Sequence, residues 1–218
     1  MALQLLRAQF FLGSPIAKAV ALNYAYPIAV VFLTYVLFKD LPNKKNLLAI
    51  FLSLISIPLL LEIWKIKNIS EISKGDFLAW LNSFFYGGMI VWGTKIRKET
   101  RLNPFTSLFY SLLLAILWLF ILGFVLSLMN IDLYVPTIRI NMKTVSWLTL
   151  MGLGLFGTVA PLSLIYFGAT KLKPYVISVL LLTEPVWVYL FGLILFGQQL
   201  SFWAILGVIG ILISILLI

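Results

Sequence analysis

Long apolar stretches separated by short polar connectors make up most of this chain. A helix needs about 20 mostly apolar residues to cross the ~30 Å hydrocarbon core of a membrane. Six stretches meet that length, and they run approximately from Pro15 to Phe38, Asn46 to Trp64, Phe77 to Gly93, Phe105 to Met129, Val145 to Thr170 and Pro174 to Phe196. A seventh, Phe202 to Ile218, is shorter but carries no charge. The pattern predicts an all-α, polytopic membrane protein with about seven spans.

The connectors contain residues that begin and end helices. Asp40-Leu41-Pro42-Asn43 interrupts one apolar stretch, and Asn103-Pro104 is typical of a helix N-cap followed by proline at the first helical position. The longest connector, Asn130 to Lys143, is predicted to form a short strand or to lie on the bilayer surface. Met1 to Leu12 is too short to span and lacks a signal-peptide pattern, so we interpret it as the last turns of another helix.

Composition supports a membrane protein and excludes several kinds of site. Hydrophobic residues make up 62% and charged residues 11% of the 218 residues, far from the balance of a soluble domain. The chain contains no Cys and no His, which excludes disulfides, thiolate nucleophiles, imidazole bases and Cys or His metal sites. We therefore expect no enzyme, no metal and no cofactor.

The net charge of +9 is a topology signal. The basic residues form short clusters between spans rather than a continuous basic face, so no nucleic-acid partner is expected. One side of the membrane collects nine basic residues: Lys39, Lys44, Lys45, Lys95, Arg97, Lys98, Arg101, Lys171 and Lys173. The other side collects five, Lys65, Lys67, Lys74, Arg139 and Lys143, with Lys18 near that face. The bias predicts a cytoplasmic C-terminus in the plasma membrane.

An internal repeat aligns Pro27–Leu60 with Pro185–Ile218 without a gap. Ten of the thirty-four aligned pairs are identical, and both copies have an early proline, a tight polar connector and a terminal apolar helix. The number of spans between them places the copies in opposite orientations. Inverted repeats of this kind are typical of secondary transporters.

Several motifs occur in an order that resembles a known family. They are Leu22-Asn23-Tyr24-Ala25-Tyr26-Pro27 with Leu37-Phe38-Lys39-Asp40, Gly75-Asp76-Phe77, Gly152-Leu153-Gly154 with Gly157-Thr158-Val159-Ala160, Thr183-Glu184-Pro185 with Leu195-Phe196-Gly197-Gln198, and Gly207 with Gly210. The chain resembles the EamA-type members of the drug/metabolite transporter superfamily over nearly its whole length. The family often ends its fourth helices with Gly-Glu, whereas Asp40 and the neutral Gln198 stand here.

The resemblance implies two inverted five-helix repeats, of which residues 1–73 would be a truncated first repeat lacking two helices and residues 74–218 a complete second repeat. It implies a secondary transporter that exports a small organic metabolite, the commoner direction in that family, by alternating access around a midplane cavity. Alternatives are an inactive or partner-dependent subunit, an uptake porter for sugars or other nutrients, a carrier of lipid-linked or nucleotide sugars, and a membrane enzyme acting on lipid. The expected partners are the substrate, the bilayer, and a second copy or a completing partner chain.

Glu184 is the one acid deep within a predicted span, where a charge costs about 2.5–3.5 kcal/mol. We interpret it either as a proton-coupling or substrate-ammonium site, or as a structural carboxyl beside the Pro185 kink. Lys18, one turn inside its helix, either extends to the interface or recognises an anionic group. The remaining acids of the outer connector, Asp76 among them, have the pattern of a solvated loop.

Other polar positions could line the cavity or simply join helices. Asn23 and Tyr26 lie on a polar stripe with Thr34, and the repeat gives Tyr26 the position of Glu184. Gly75, Ala79, Ser83 and Gly87 recur every fourth residue and predict close helix packing. The further candidates for the cavity are Asn82, Tyr86, Trp92, Thr158 and Tyr166. The basic segment Lys95–Arg101 is interpreted as a loop whose charges reflect membrane topology, with contact to anionic lipid as the alternative. Gly152, Gly154 and Gly157 are interpreted as a close-packing, flexible stretch.

Overall fold

A computed structural model describes residues 16–66, 73–100, 103–128, 143–197, 199 and 201–218. The predicted N-terminal helix turns and nearly all of the Asn130–Lys143 connector lie outside the described residues. The described part is helical apart from short connectors, with no strand in these ranges. The prediction of an all-α protein is therefore confirmed.

Ten α-helices occupy the described ranges, and every predicted apolar stretch is helical. They are α1 (Ile16–Asn23), α2 (Tyr26–Phe38), α3 (Lys44–Leu60), α4 (Lys74–Thr100), α5 (Pro104–Leu128), α6 (Thr144–Gly154), α7 (Ala160–Lys171), α8 (Pro174–Leu181), α9 (Glu184–Phe196) and α10 (Phe202–Leu217). A 3₁₀ turn follows α3 at Ile63–Lys65, and a π-helical turn, Leu155–Val159, joins α6 to α7.

Within the described ranges, five helical stretches are long and apolar enough to cross a membrane: Lys18–Phe38, Lys44–Lys65, Pro104–Val125, Thr144–Lys171 and Pro174–Leu195. Helix α10 is apolar but shorter, as expected from its sequence. Helix α4 has 27 residues yet is not among the five, because polar residues such as Asn82 and Tyr86 lower its hydropathy. The chain is a multi-pass membrane protein.

The chain forms two compact units. The large unit comprises Met1–Thr94 and Leu172–Ile218, and the small unit comprises Lys95–Lys171. The large unit therefore holds α1–α3, most of α4 and α8–α10, while the small unit holds the end of α4 and α5–α7. This division follows spatial contacts and does not test the predicted repeat boundary at residue 73.

Helices α3 and α10 form the tightest packing of the large unit. A Cβ atom added at Gly207 of α10 would lie 2.5 Å from the backbone nitrogen of Leu60, and one added at Gly210 would collide with Ser56. Leu60 and Ile211 are fully buried at this contact. Backbones approach this closely in membranes only where side chains are small, because lipid tails provide no hydrophobic driving force between helices.

The predicted small-residue row packs α4 against α2. Gly75, Ala79, Ser83 and Gly87 are all buried. A Cβ atom at Gly87 would lie 3.0 Å from the Ala29 side chain and 3.1 Å from a backbone oxygen of α2. The row therefore has the packing role that its spacing predicts.

Short polar side chains begin the helices that follow the connectors. The Asn43 side chain accepts a hydrogen bond from the backbone N–H of Asn46 at 2.8 Å, and the Ser201 hydroxyl accepts one from Ala204 at 3.1 Å. Asn103 caps α5 in the same way, with Pro104 at the first helical position, as predicted. Asn43 and Ser201 are equivalent under the alignment of Pro27 with Pro185.

The structure corrects two interpretations in the small unit. The basic segment predicted as a loop continues α4 as far as Thr100, and Arg97 within it is buried. Nothing in the described chain lies within 4 Å of a Cβ atom built at Gly152, Gly154 or Gly157, so the close packing expected there is not observed. The glycines instead flank or lie in the π-helical turn.

Candidate functional site

Two spans of the large unit are broken at equivalent positions. Between α1 and α2 the backbone turns at Tyr24–Ala25, and between α8 and α9 it turns at Leu182–Thr183. Each break precedes a proline, Pro27 or Pro185, which has no N–H group to continue the helical ladder. Discontinuous helices with this form surround the substrate and ion sites of many secondary transporters.

Tyr26 joins the two breaks. At the second break the backbone N–H of Leu182 donates to Val179, three residues back, so the carbonyl of Ser178 lacks its usual helical donor. The Tyr26 hydroxyl donates to that Ser178 carbonyl at 3.2 Å, and its side chain is only 3% exposed. A side chain of the first broken span therefore satisfies a backbone group freed in the second, as a membrane interior requires.

Glu184 lies at the first position of α9, directly after the second break, and its side chain is exposed in the chain. Its carboxylate is within electrostatic reach of the phenols of Tyr24, Tyr26 and Tyr86. The Tyr26 and Tyr86 rings meet edge to face, with their centroids 4.9 Å apart, and Tyr24 lies 6.5 Å from Tyr26. We call these three ring-contacting phenols the tyrosine cluster (Tyr24, Tyr26 and Tyr86).

Two amides extend the polar surface from α4 to α1. The Asn82 side chain donates to the Asn23 side-chain oxygen at 2.9 Å, and Asn82 is one helical turn before Tyr86. Both side chains are part-buried. The structure thus brings five predicted site residues into one region of the large unit: Asn23, Tyr26, Asn82, Tyr86 and Glu184.

Lys18 forms an ion pair instead of extending freely to the interface. Its ammonium lies 2.8 Å from the Asp76 carboxylate, which also accepts a hydrogen bond from the backbone N–H of Ser73 at 2.8 Å. Asp76 is only 6% exposed, so the interpretation of this acid as part of a solvated loop is wrong. Helix α4 begins at Lys74, which brings Asp76 into its first turn, where the helix dipole favours an acid.

A mostly apolar pocket of about 350 Å³ lies beside the first helix break. Lys18 and Tyr24 are its polar lining, and α3 closes it with Leu54, Ile57 and Pro58. The pocket therefore adjoins both the Lys18–Asp76 pair and the tyrosine cluster.

A second ion pair joins the end of α2 to the start of α8. Lys173 lies 2.8 Å from the Asp40 carboxylate, and both groups are partly exposed. The hydrogen bond with Asp40, and after it the one with the Tyr175 phenol, raise the pKa of Lys173 above its ordinary value of 10.5.

Three predicted candidates lie outside this cluster. Trp92 follows Tyr86 on α4, and its side chain is 55% exposed. Thr158 belongs to the small unit, where it is exposed in the π-helical turn. Tyr166 is buried in the small unit, where the Arg97 guanidinium lies 3.5 Å from its ring centre.

Sequence reasoning missed Tyr24, Asp76, Ser178 and Arg97. Tyr24 could have been identified, because its phenol lies two residues before the candidate Tyr26. The Lys18–Asp76 pair could not, because the separation of two residues along the chain carries no information about their contact. Ser178 acts through its backbone, which no side-chain pattern reveals. Across the described ranges, no group of three or more acidic, His or Cys residues is arranged to hold a metal.

Comparison with known proteins identifies similar transporters. The family model described as the EamA-like transporter family matches residues 73–218. An uncharacterized transporter of Archaeoglobus fulgidus is 27% identical over 205 residues, covering 94% of this chain and 67% of the relative. One solved crystal structure of a protein aligns with a TM-score of 0.71 at 16% identity, covering 98% of this chain and 69% of the other, which establishes similarity of fold.

Proposed function

The chain belongs to the EamA-like transporter family, and on that premise we propose that it is a secondary transporter that exports small organic metabolites by alternating access, without enzymatic activity. The observation that carries the proposal is Glu184, an acid placed directly after a helix break and within electrostatic reach of the tyrosine cluster. Discontinuous helices place polar groups deep in the membrane, and their unpaired backbone groups avoid lipid because they are buried in protein or line a cavity.

The chemistry of the cluster favours a substrate with an ammonium group. A carboxylate attracts a cation directly, and phenol faces stabilise it by cation–π contact worth about 0.5–2 kcal/mol each. A proton competes for the same carboxylate, so one site can exchange a proton for a cationic or zwitterionic substrate. Glu184 would bind either species, while Tyr24 and Tyr86 would hold the organic part.

The proposed location is the plasma membrane with the C-terminus in the cytoplasm. Support comes from the excess of Lys and Arg in the connectors assigned to the cytoplasmic side. The charged segment around Arg97 and the Lys173–Asp40 pair would then lie at the cytoplasmic ends of their helices, and the Lys18–Asp76 pair at the outer end. Export is proposed on family precedent alone. Net transport in the opposite direction across reconstituted vesicles would instead indicate uptake of a nutrient.

Reconstitution in vesicles tests the proposal. Purified chain in phosphatidylcholine vesicles should exchange a radiolabelled aromatic amino acid or a quaternary amine across the bilayer faster than vesicles without protein. Glu184→Gln should reduce the exchange at least about tenfold, equivalent to ~1.4 kcal/mol. Glu99→Gln removes the same charge from an exposed position at the end of α4 and serves as the matched control. Equal exchange by Glu184→Gln and the wild type would exclude the assigned role of Glu184.

The same preparation tests the partner that the sequence predicts. We propose that a second copy or a completing partner chain contributes to the working assembly, and the mass of the particle in detergent measures this. A single copy that transports alone would overturn that part of the proposal and leave the transport function intact.

Alternating access has its own test, because the chain contains no Cys. The variant Tyr24→Cys, within the tyrosine cluster, should react with a membrane-impermeant thiol reagent from either side of the membrane, at rates that change in opposite directions when the pH or substrate gradient is reversed. A cysteine at Phe120, exposed on the apolar helix α5, should react from neither side because a thiol in lipid does not ionise. Reaction of Tyr24→Cys from one side under every gradient would contradict alternating access.

A further inference from the structure

Arg97 is a buried cation without an acidic partner in the described part of the small unit. It lies in the last turn of α4, and only 7% of its surface is exposed. No carboxylate of the described residues forms an ion pair with it, and its Nε–H has no hydrogen-bond acceptor. A charge in this position is unusual, because buried charges are normally paired.

The neighbours of Arg97 hold the guanidinium in place without neutralising it. The guanidinium carbon lies 3.5 Å from the centre of the Tyr166 ring on α7, so the two planes are in contact. The Tyr166 hydroxyl donates to the Ser111 hydroxyl on α5 at 2.9 Å, which fixes the ring. Stacking on an aromatic ring stabilises a cation by much less than burial without a counter-ion destabilises it. The stack alone does not offset the burial.

A second polar atom near the same end of α5 is also unsatisfied. The Ser107 hydroxyl, one helical turn before Ser111, is buried without a hydrogen-bond partner. Ser107 belongs to the first turn of α5, where the helix dipole favours negative charge. Tyr166 links the two unsatisfied donors, because its ring contacts Arg97 and its hydroxyl bonds to Ser111, one helical turn after Ser107. Both donors suit an anion.

We propose that Arg97, Ser107 and Tyr166, called here the arginine cluster, bind a phosphate group. The flat fork of a guanidinium matches two phosphate oxygens, a hydroxyl supplies a further donor, and the tyrosine ring holds the fork in orientation. The phosphate could belong to the headgroup of an anionic phospholipid or to a soluble ion, since both present the same oxygens. Basic pockets at the cytoplasmic ends of membrane helices bind anionic headgroups in this way.

The site differs from the tyrosine cluster in charge and in location. The tyrosine cluster belongs to the large unit and presents an acid, whereas the arginine cluster belongs to the small unit and presents a base. A phosphate at Arg97 would complete the fold of the small unit rather than be transported. The two proposals can therefore fail independently.

Thermal unfolding of the full chain measures binding without a transport assay. In a neutral detergent, inorganic phosphate should raise the unfolding temperature above its value in chloride at equal ionic strength if the source is soluble phosphate. In nanodiscs, phosphatidylcholine with one-fifth phosphatidylglycerol should raise it above pure phosphatidylcholine if the source is a lipid headgroup. Stabilisation in either arm supports the site and identifies the source, and no stabilisation in either arm overturns it.

Variants assign the effect to the arginine cluster. Arg97→Gln should abolish the stabilisation, while Lys171→Gln, which removes one charge from an exposed position of the same unit, should retain it. Arg97→Lys retains the charge without the fork and should bind phosphate about tenfold more weakly. If Arg97→Gln does not fold, the Arg97→Lys and Lys171→Gln pair decides the assignment. Equal stabilisation of all folded variants would show that the anion binds elsewhere and would overturn the proposal.

Discussion

Two arms of the large unit have the same construction and different chemistry. The first arm consists of α1, α2 and α3, and the second of α8, α9 and α10. Each has a broken span, a proline after the break, a left-handed residue at the end of the second half and a polar N-cap before the last helix. At the residue before the proline, however, the first arm has Tyr26 and the second has Glu184.

This difference at the residue before the proline gives the first helix break a structural role and places a charged side chain at the second. Tyr26 is buried, and its hydroxyl donates a hydrogen bond to the carbonyl of Ser178. A side chain at the first break therefore satisfies a backbone carbonyl freed at the second. Glu184 at the equivalent position is exposed and receives no such bond from the residues described around it. A repeated backbone therefore provides two helix breaks, and the side chain at each decides whether the break joins helices or presents a charge.

The largest loss of stability is expected at the contact between α3 of the first arm and α10 of the second. Gly207→Leu places a side chain against the backbone of Leu60, where even a Cβ atom would lie 2.5 Å from a nitrogen. Overpacking of this kind costs about 3 kcal/mol or more, and we expect a clear loss of thermal stability in detergent. Gly154→Leu, at a position with nothing within 4 Å, is the control and should unfold near the wild-type temperature. Similar losses for both variants would show that the α3–α10 contact is not special.

A smaller loss of stability is expected when the bond between the two breaks is removed. Tyr26→Phe leaves the Ser178 carbonyl buried without a donor, at a cost of about 1–3 kcal/mol. Tyr189→Phe is the matched control, because its hydroxyl donates to the carbonyl of Leu60 in a less buried place. Denaturation monitored by tryptophan fluorescence measures both. A loss for Tyr26→Phe no larger than for Tyr189→Phe contradicts the structural role given to the first break.

The helix ends give a change in the opposite direction. Lys39 and Gly197 end the equivalent helices α2 and α9 in the left-handed conformation, with φ of 55° and 61°. A side chain in that conformation costs about 1 kcal/mol that glycine avoids. Lys39→Gly should therefore raise the free energy of unfolding by up to about 1 kcal/mol, while Gly197→Lys should lower it. A lower unfolding temperature for Lys39→Gly would refute the equivalence of the two helix ends.

The smallest effect concerns the ion pair between the arms. Asp40→Asn removes the partner that raises the pKa of Lys173. A lysine with a raised folded pKa contributes its stabilisation below the pKa of the unfolded chain and loses it as pH rises through the folded pKa, here above 10.5. Because both groups are partly exposed, the loss at neutral pH should be about 0.2–1 kcal/mol. Wild type and variant should converge once the pH exceeds the folded pKa of Lys173, and a difference that persists there would exclude this ion pair as its cause.

Helix positions could be predicted from the sequence because apolar length and cap chemistry are local properties. Asn103 and Pro104 indicate the start of α5 from two residues of sequence, and the row from Gly75 to Gly87 indicates the packing face of α4 from spacing alone. The end of α4 could not be predicted, since the five polar residues from Arg97 to Arg101 resemble a loop until their contacts are known. Arg97 is buried by residues that are distant in sequence.

The candidate site could be predicted only in part. Glu184 was identifiable because an acid within an apolar run is costly, and Tyr26 because the repeat assigns it the same position. The contact of Lys18 with Asp76 joins residues 58 apart in sequence, and the role of Ser178 depends on a backbone carbonyl freed by a turn. Such contacts depend on the packing of helices, which hydropathy does not specify.

The central claim is that Glu184 binds the proton or the substrate while its structural counterpart Tyr26 does not. The most direct measurement is the pH dependence of exchange in reconstituted vesicles, for wild type, Glu184→Gln and Tyr26→Phe at equal protein content. We predict that exchange by the wild type varies with pH and that Glu184→Gln loses this dependence. Tyr26→Phe should have a pH profile of the same shape as the wild type, with a reduced yield of folded protein. A pH profile of Glu184→Gln that matches the wild type would contradict the account.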